Sequence, residues 1–278
     1  MLTELITRYD TIGHRTLDLE AELGIGTEPH KETLDMLIEE ARTAIQVKDA
    51  YTREDAVGIL RTINRILQDK GFEQRDEKQP IDGLHLFHEG LGSKKIDCYS
   101  TSFIYLSIAD ALGLPLVVVS APEHLFVRFI LNGEKINWET TSAEVLSDDD
   151  YKLEFNIADA TIKNEVYLRN LTRQETMALV YNNRGIAWRR KGNLDNAIAD
   201  FNTSIRLNPN FAEAYNNRGN AWSRKGNLDN AIADYNKAIR LDPNFAEAYN
   251  DRGIAWRRKG NLDKADTDFR KYKSLMLR

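Results

Sequence analysis

One cysteine, Cys98, stands in 278 residues, so no disulfide can form within the chain, and a cysteine-based zinc site would lack its partners. A lone thiol points to a reducing, cytoplasmic setting. No apolar run approaches the roughly 20 residues that a helix needs to cross a bilayer. The opening residues, "MLTELITRYDTIGHR", lack the basic flank and apolar stretch of a secretion signal. No glycine-rich loop of the kind that cradles phosphates is present, which leaves nucleotide chemistry without a binding element. What remains is a chain whose 42% apolar content can fill a sizeable core, long enough for about two domains.

The net charge is only −5, but charge is unevenly spread. Residues 178–278 carry 19 Lys+Arg against 11 Asp+Glu, a net +8, whereas residues 1–177 carry 19 against 32, a net −13. Opposite signs suit different jobs for the two parts, and they steer each toward differently charged partners.

The basic part is repetitive. "YNNRGIAWRRKGNLDNAIADFNTSIRLNPNFAEA" begins at Tyr181, "YNNRGNAWSRKGNLDNAIADYNKAIRLDPNFAEA" at Tyr215 and "YNDRGIAWRRKGNLDKADTDF" at Tyr249, a period of 34 residues. Tyr215, Gly219 and Trp222 share one face of a first helix, which Gly226 and Asn227 break. Ala231, Tyr235 and Ala238 face inward on a second, and Pro243 closes the unit. This pattern resembles the tetratricopeptide repeat (TPR), whose helix pairs stack into a solenoid with a concave groove for peptides or proteins. The groove side is expected to carry Asn182, Asn216 and Asn250, then Ile186, Asn220 and Ile254. Asparagine amides there can hold a peptide backbone. Arg189, Arg190, Arg224, Arg257 and Arg258 either form a stripe for an acidic ligand or complement the helix C-terminal dipole. Trp and Tyr fall at core positions of the repeats, which argues against stacking on nucleic acid bases.

Upstream, "ETLDMLIEEARTAIQ" (32–46) and "REDAVGILRTINRILQ" (53–68) have apolar residues at helical spacing, with Thr52 as N-cap of the second. "GFEQRDEKQP" is a polar break. The pattern then changes to a helix from about Asp97 to Leu112, a buried strand in "LPLVVVSAP", and two strands around Asn132-Gly133 in "HLFVRFILNGEKINWET". A helix followed by antiparallel strands indicates an α+β core.

Cys98 falls in the first turn of that helix, where free N–H groups and the dipole favour thiolate over thiol. A two-residue turn at Asn132-Gly133 pairs Leu131 with Glu134 and hence Phe126 with Glu139. Alternation then puts His124, Phe126 and Glu139 on one face, with His124 and Glu139 in reach of each other. A carboxylate there fixes the imidazole tautomer, and the other ring nitrogen serves the thiol. "HLFHEG" offers a weaker constellation, His85 and His88 beside Glu89, without a second pair of metal ligands; no metal or other cofactor is expected.

"DCYSTSFIYLSIADALGLPLVVV" followed by "PEHLFVRFILNGEKINWETT" resembles the transglutaminase-like superfamily over about residues 80–170. Within it the resemblance is closest to a bacterial branch in which such a domain precedes TPR-like helices. It implies a papain-like core with the nucleophile at Cys98, the base at His124 and the orienting acid at Glu139, where the family usually carries Asp. The expected architecture is an N-terminal helical region (1–78), an α+β papain/transglutaminase-like core (79–172) and an all-α TPR solenoid (173–278). The expected function is a cysteine hydrolase or acyltransferase acting on a protein amide or peptide bond, with the repeats recruiting a protein or peptide partner of acidic character. A non-catalytic protein–protein interaction scaffold working through the repeat groove is the alternative. Neither needs nucleic acid or a membrane.

Overall fold

A computed structural model describes residues 10–75 and 86–277. By contacts the chain divides into two compact units, residues 1–151 with 170–173, and residues 152–169 with 174–278.

In the first unit three helices, α1 (Ile12–Ala21), α2 (Glu28–Ala44) and α3 (Arg53–Asp69), lead into the short strand β1 (Glu73–Gln74). Thr52 starts α3 with a reciprocal capping box to Asp55, as its sequence predicts. Next come α4 (Phe87–Ser93), the short strand β2 (Lys95–Ile96), which pairs in parallel with β1, and α5 (Cys98–Leu112). Helix α5 is apolar on nearly every side and is correspondingly buried, with α1, α2 and α4 packed on it. Gly90 of α4 passes so close to its first turn that a Cβ there would stand 2.5 Å from Ser100 Oγ. This contact pins the end of α5 that carries Cys98.

Strands β3 (Leu116–Ala121), β4 (His124–Ile130), β5 (Lys135–Glu139) and β6 (Glu144–Leu146) form an antiparallel sheet in that order. The β4–β5 register pairs Val127 with Trp138 and Ile130 with Lys135, and Leu131 N–H donates to Glu134 O at 2.9 Å, the pairing expected for a turn at Asn132-Gly133. Strand β6 and the pairing of β3 with β4 are not evident in the sequence pattern. Trp138 Nε1 donates to Tyr105 Oη, which turns its face of the sheet toward α5, and Phe126 on the other face stacks on Tyr151 of α6 (Asp148–Glu154).

The second unit contains a short helix α7 (Asp159–Lys163) and three helix pairs: α8 (Arg173–Arg190) with α9 (Leu194–Leu207), α10 (Ala212–Arg224) with α11 (Leu228–Leu241), and α12 (Ala246–Arg258) with α13 (Leu262–Met276). Each pair is locked by the same bidentate ion pair across its two helices: Arg184 to Asp200, Arg218 to Asp234 and Arg252 to Asp268. Segment 152–169, expected upstream of the repeats as part of the core, joins them because the inter-repeat turns hold it. Asn210 and Asn244, equivalent residues of successive repeats, donate to the carbonyls of Asn164 and Asn156, and the buried Tyr167 hydroxyl lies 3.1 Å from Glu213 and 3.2 Å from Asp242. Similarly, α1–α3 share the unit of the α5 core, whereas the expected division set residues 1–78 apart. Among the described residues no helix is long and apolar enough to cross a membrane.

Helix crossing within a repeat depends on a missing Cβ. At Gly219 an added Cβ would stand 2.6 Å from a ring carbon of Tyr235 and 3.2 Å from the backbone oxygen of Ala231. Gly219→Ala is therefore expected to destabilise the repeats by about 1–3 kcal/mol, read as a lower urea midpoint of their helical transition. An unchanged midpoint would show that α10 and α11 separate without cost.

Candidate active site

Cys98 opens α5. Asp97 before it is the N-cap, its Oδ1 accepting from Ser100 N at 2.8 Å and Ser100 Oγ at 2.7 Å, while its carbonyl accepts from Thr101 N and Oγ1. The cap fixes the first turn, so the half-buried Cys98 sits among the N–H groups that a helix start leaves without intrahelical partners. His124 begins β4 directly after a tight turn in which Glu123 takes a left-handed conformation (φ 54°), and Ala121 pairs with His124 across it.

His124 Nε2 donates to Glu139 Oε2 at 2.6 Å, the cross-strand contact expected from the register. Cys98 is near enough to the ring to favour its charged form. Glu139 itself is 6% exposed and has both oxygens occupied. Oε1 accepts from Thr141 N at 2.9 Å and Thr141 Oγ1 at 2.5 Å, and Oε2 accepts from His124 and from Tyr151 Oη at 3.1 Å. The carboxylate thus cannot turn away from the imidazole without abandoning three other donors.

Two groups that sequence reasoning missed complete the frame. Tyr151 is fully buried, stacks on Phe126 with ring centroids 3.8 Å apart, and lies 6.2 Å from the His124 ring. One side chain therefore touches or flanks His124, Phe126 and Glu139, which places those three on one face. Its helix is anchored by Arg128, completely buried, which binds Asp148 at the start of α6 together with Asn137 and Asn170. Gln74 is the second group. Its Nε2 donates to Thr140 O at 3.1 Å, tying the strand that pairs with β2, just before Cys98, to the end of the strand that carries Glu139. Only a strand pairing absent from the local pattern brings it there.

Burial alone would push the His124 pKa down. The Cys98 sulfur and the Glu139 carboxylate outweigh it and raise the value to about 10. Burial likewise opposes ionisation of Glu139, but His124 and Thr141 leave its carboxyl below the ordinary value. At neutral pH the pair is imidazolium and carboxylate.

A family model described as the transglutaminase-like superfamily matches residues 28–178. The chain belongs to the transglutaminase-like superfamily. The match takes in α2 and α3 as well as the α5 helix and the sheet. Tetratricopeptide repeat models match residues 185–226, 212–245 and 234–267. No curated protein matches the chain. Among solved structures, MamA is 32% identical, covering 36% of this transglutaminase-like chain and 58% of its own, with a TM-score of 0.35. The second TPR of Spaghetti (RPAP3), bound to the HSP90 peptide SRMEEVD, is 26% identical over 37% of this chain and 95% of its own, with a TM-score of 0.36. The TPR domain of Arabidopsis OM64 is 26% identical over 37% and 84%, also at 0.36. This chain thus spans just over half the length of MamA.

The repeat residues of the transglutaminase-like chain are placed less uniformly than their spacing suggests. Asn182 and Asn216 are buried and used between repeats, Asn182 accepting from Asn217 at 3.1 Å and Asn216 donating to Asp251 at 3.1 Å. Asn220 donates to the same Asp251 and accepts from Tyr235 Oη, while Asn250 is half-buried. Arg224 and Arg258 reach back one repeat to the carbonyls of Arg189 and Ser223, where a helix end leaves acceptors unpaired. Arg189 is half-buried, its pKa pulled down by burial and by the Arg224 charge, and Arg190 and Arg257 are exposed. Of the histidine pair, His88 binds Glu20 through Nδ1 and stacks on His30; His85 lies outside the described residues.

The two groups that hold the His124 proton determine how the site responds to change. With both present, NMR of the imidazole is expected to show titration near pH 10. Since Cys98 and Glu139 each favour the charged ring and burial opposes it, Cys98→Ala and Glu139→Gln should each lower that midpoint toward the ordinary value of 6.5. A midpoint unmoved by either variant would mean that neither group holds the proton.

Proposed function

We propose that the chain is a cysteine hydrolase or acyltransferase acting on a protein amide or peptide bond, with its repeats holding a protein or peptide partner. The observation that carries this reading is His124 held at 2.6 Å by Glu139, with every oxygen of the carboxylate occupied, while Cys98 at the helix start is the other group that favours the charged ring. In the proposed reaction the Cys98 sulfur attacks the carbonyl carbon of the amide. The oxygen takes up negative charge, for which the Cys98 N–H is one available donor. As the carbonyl re-forms, the C–N bond breaks and the amine leaves with the proton from His124. Neutral His124 then takes a proton from water or from an incoming amine, which attacks the thioester and expels the thiolate. Glu139 stabilises the charged ring throughout and stays ionised. No step calls for a cofactor. A lone nucleophilic thiol works best where it stays reduced, which supports a cytoplasmic location.

The repeats bear on the partner. The structures to which the chain is similar include TPR domains bound to the peptides SRMEEVD and SGPTIEEVD, and repeats of this type offer peptide-binding surfaces here as well.

Iodoacetamide labelling of the native chain between pH 5 and 9 tests the enzyme reading. Cys98 is expected to be alkylated in the folded chain, and Glu139→Gln to slow the reaction on the order of 10²-fold with an unchanged far-UV spectrum. A thiol inert throughout that range would remove the enzyme and leave the repeats as the working part, a protein–protein interaction scaffold. An earlier melt of Glu139→Gln with unchanged labelling would make Glu139 a structural residue.

A further inference from the structure

The third repeat departs from the other two at the surface where each would cover its successor. Ile198 and Ile232, both buried, correspond by the 34-residue period to Asp266, and the buried small residues Ser204 and Ala238 correspond to Tyr272. A surface that is apolar and smooth in repeats 1 and 2 is here charged and obstructed. Between α12 and α13 it leaves an open cavity of about 560 Å³.

Three cations line this cavity: Arg257 from α12, and Arg270 and Lys273 from α13. Among the described residues none of them has a salt-bridge partner, whereas Arg184, Arg218 and Arg252 each hold an aspartate. Arg257 stacks on the Phe269 ring at 5.6 Å, and Arg270 makes only long contacts, to Asp266 O at 3.3 Å and Thr267 Oγ1 at 3.5 Å. Phe269 and Tyr272 supply aromatic walls, and Asn250 an amide with both donor and acceptor.

We infer that this cavity binds an acidic peptide segment of a protein partner, carboxylates on the three cations and an apolar side chain against Phe269 and Tyr272. Free guanidinium groups favour carboxylates, and the Asn250 amide suits a peptide main chain. The site deepens the partner half of the proposed function and uses none of its chemistry, so labelling of Cys98 succeeds or fails independently.

The test uses the full chain as Cys98→Ala and a short fluorescein-labelled peptide of glutamate and aspartate around one tryptophan, followed by anisotropy at low and moderate salt. Binding is expected in the parent, weaker as salt rises. Arg270→Glu/Lys273→Glu should weaken it by about tenfold or more, while Arg240→Glu, an exposed arginine of the second repeat outside the cavity, should leave it unchanged. No binding by the parent, equal binding by the double variant, or an equal loss in Arg240→Glu would overturn the inference. So would equal binding of the peptide with glutamine and asparagine in place of its acids, or stronger displacement by a single-stranded oligonucleotide than by unlabelled peptide.

Discussion

The carboxylate of Glu139 is the constraint on which the arrangement of the site depends. A buried carboxylate is costly unless donors surround it, and here four donors come from three places: β4, the loop after β5, and α6. Each fixes something else. His124 is oriented, the chain beyond β5 is turned at Thr141, and Tyr151 is held over Phe126, so that α6 closes one face of the sheet. Arg128 extends the same logic, as a fully buried guanidinium satisfied by Asn137, Asp148 and Asn170. The polar side of the sheet is a connected network in which removing one member strands the others.

Cys98 is positioned by different physics. Its helix is apolar on nearly every side and largely buried, and its N-terminus is clamped by the Asp97 cap and by the close approach of Gly90 to Ser100. Cys98 and His124 therefore stand where an apolar core and a polar network are built to a common edge. The helix supplies unpaired N–H groups where the sulfur sits; the network supplies a protonated imidazole.

In the repeats the recurring interactions are spent on the solenoid itself. The Arg–Asp pairs lock each helix pair, Asn182 and Asn216 connect neighbouring repeats, and Arg224 and Arg258 cap the helix ends behind them. A residue that recurs at every repeat thus more often holds the repeat together, and the departures from the pattern are where binding chemistry is free to act. The charged outer face of α13 is such a departure.

Local patterns were enough to read the 34-residue repeat, the Thr52 and Asp97 caps, the helix that begins at Cys98 and the β4–β5 register. Each depends on residues close in the chain, through helical periodicity, a capping side chain or a two-residue turn. From the register alone follows the meeting of His124 and Glu139, because alternation in a strand determines which side chains share a face. Tyr151, Gln74 and strand β6 were not legible, since their roles arise from packing between segments whose local sequence carries no mark of the partner. The same holds for segment 152–169, which packs with the repeats because Asn210, Asn244 and Tyr167 find their partners only across the inter-repeat turns. Periodicity identified which arginines recur but not what they bind. Only the stacking of helices decided that Arg224 and Arg258 would meet carbonyls, while Arg257 would face an open cavity, because a helix end has unpaired acceptors only where a neighbour presents them.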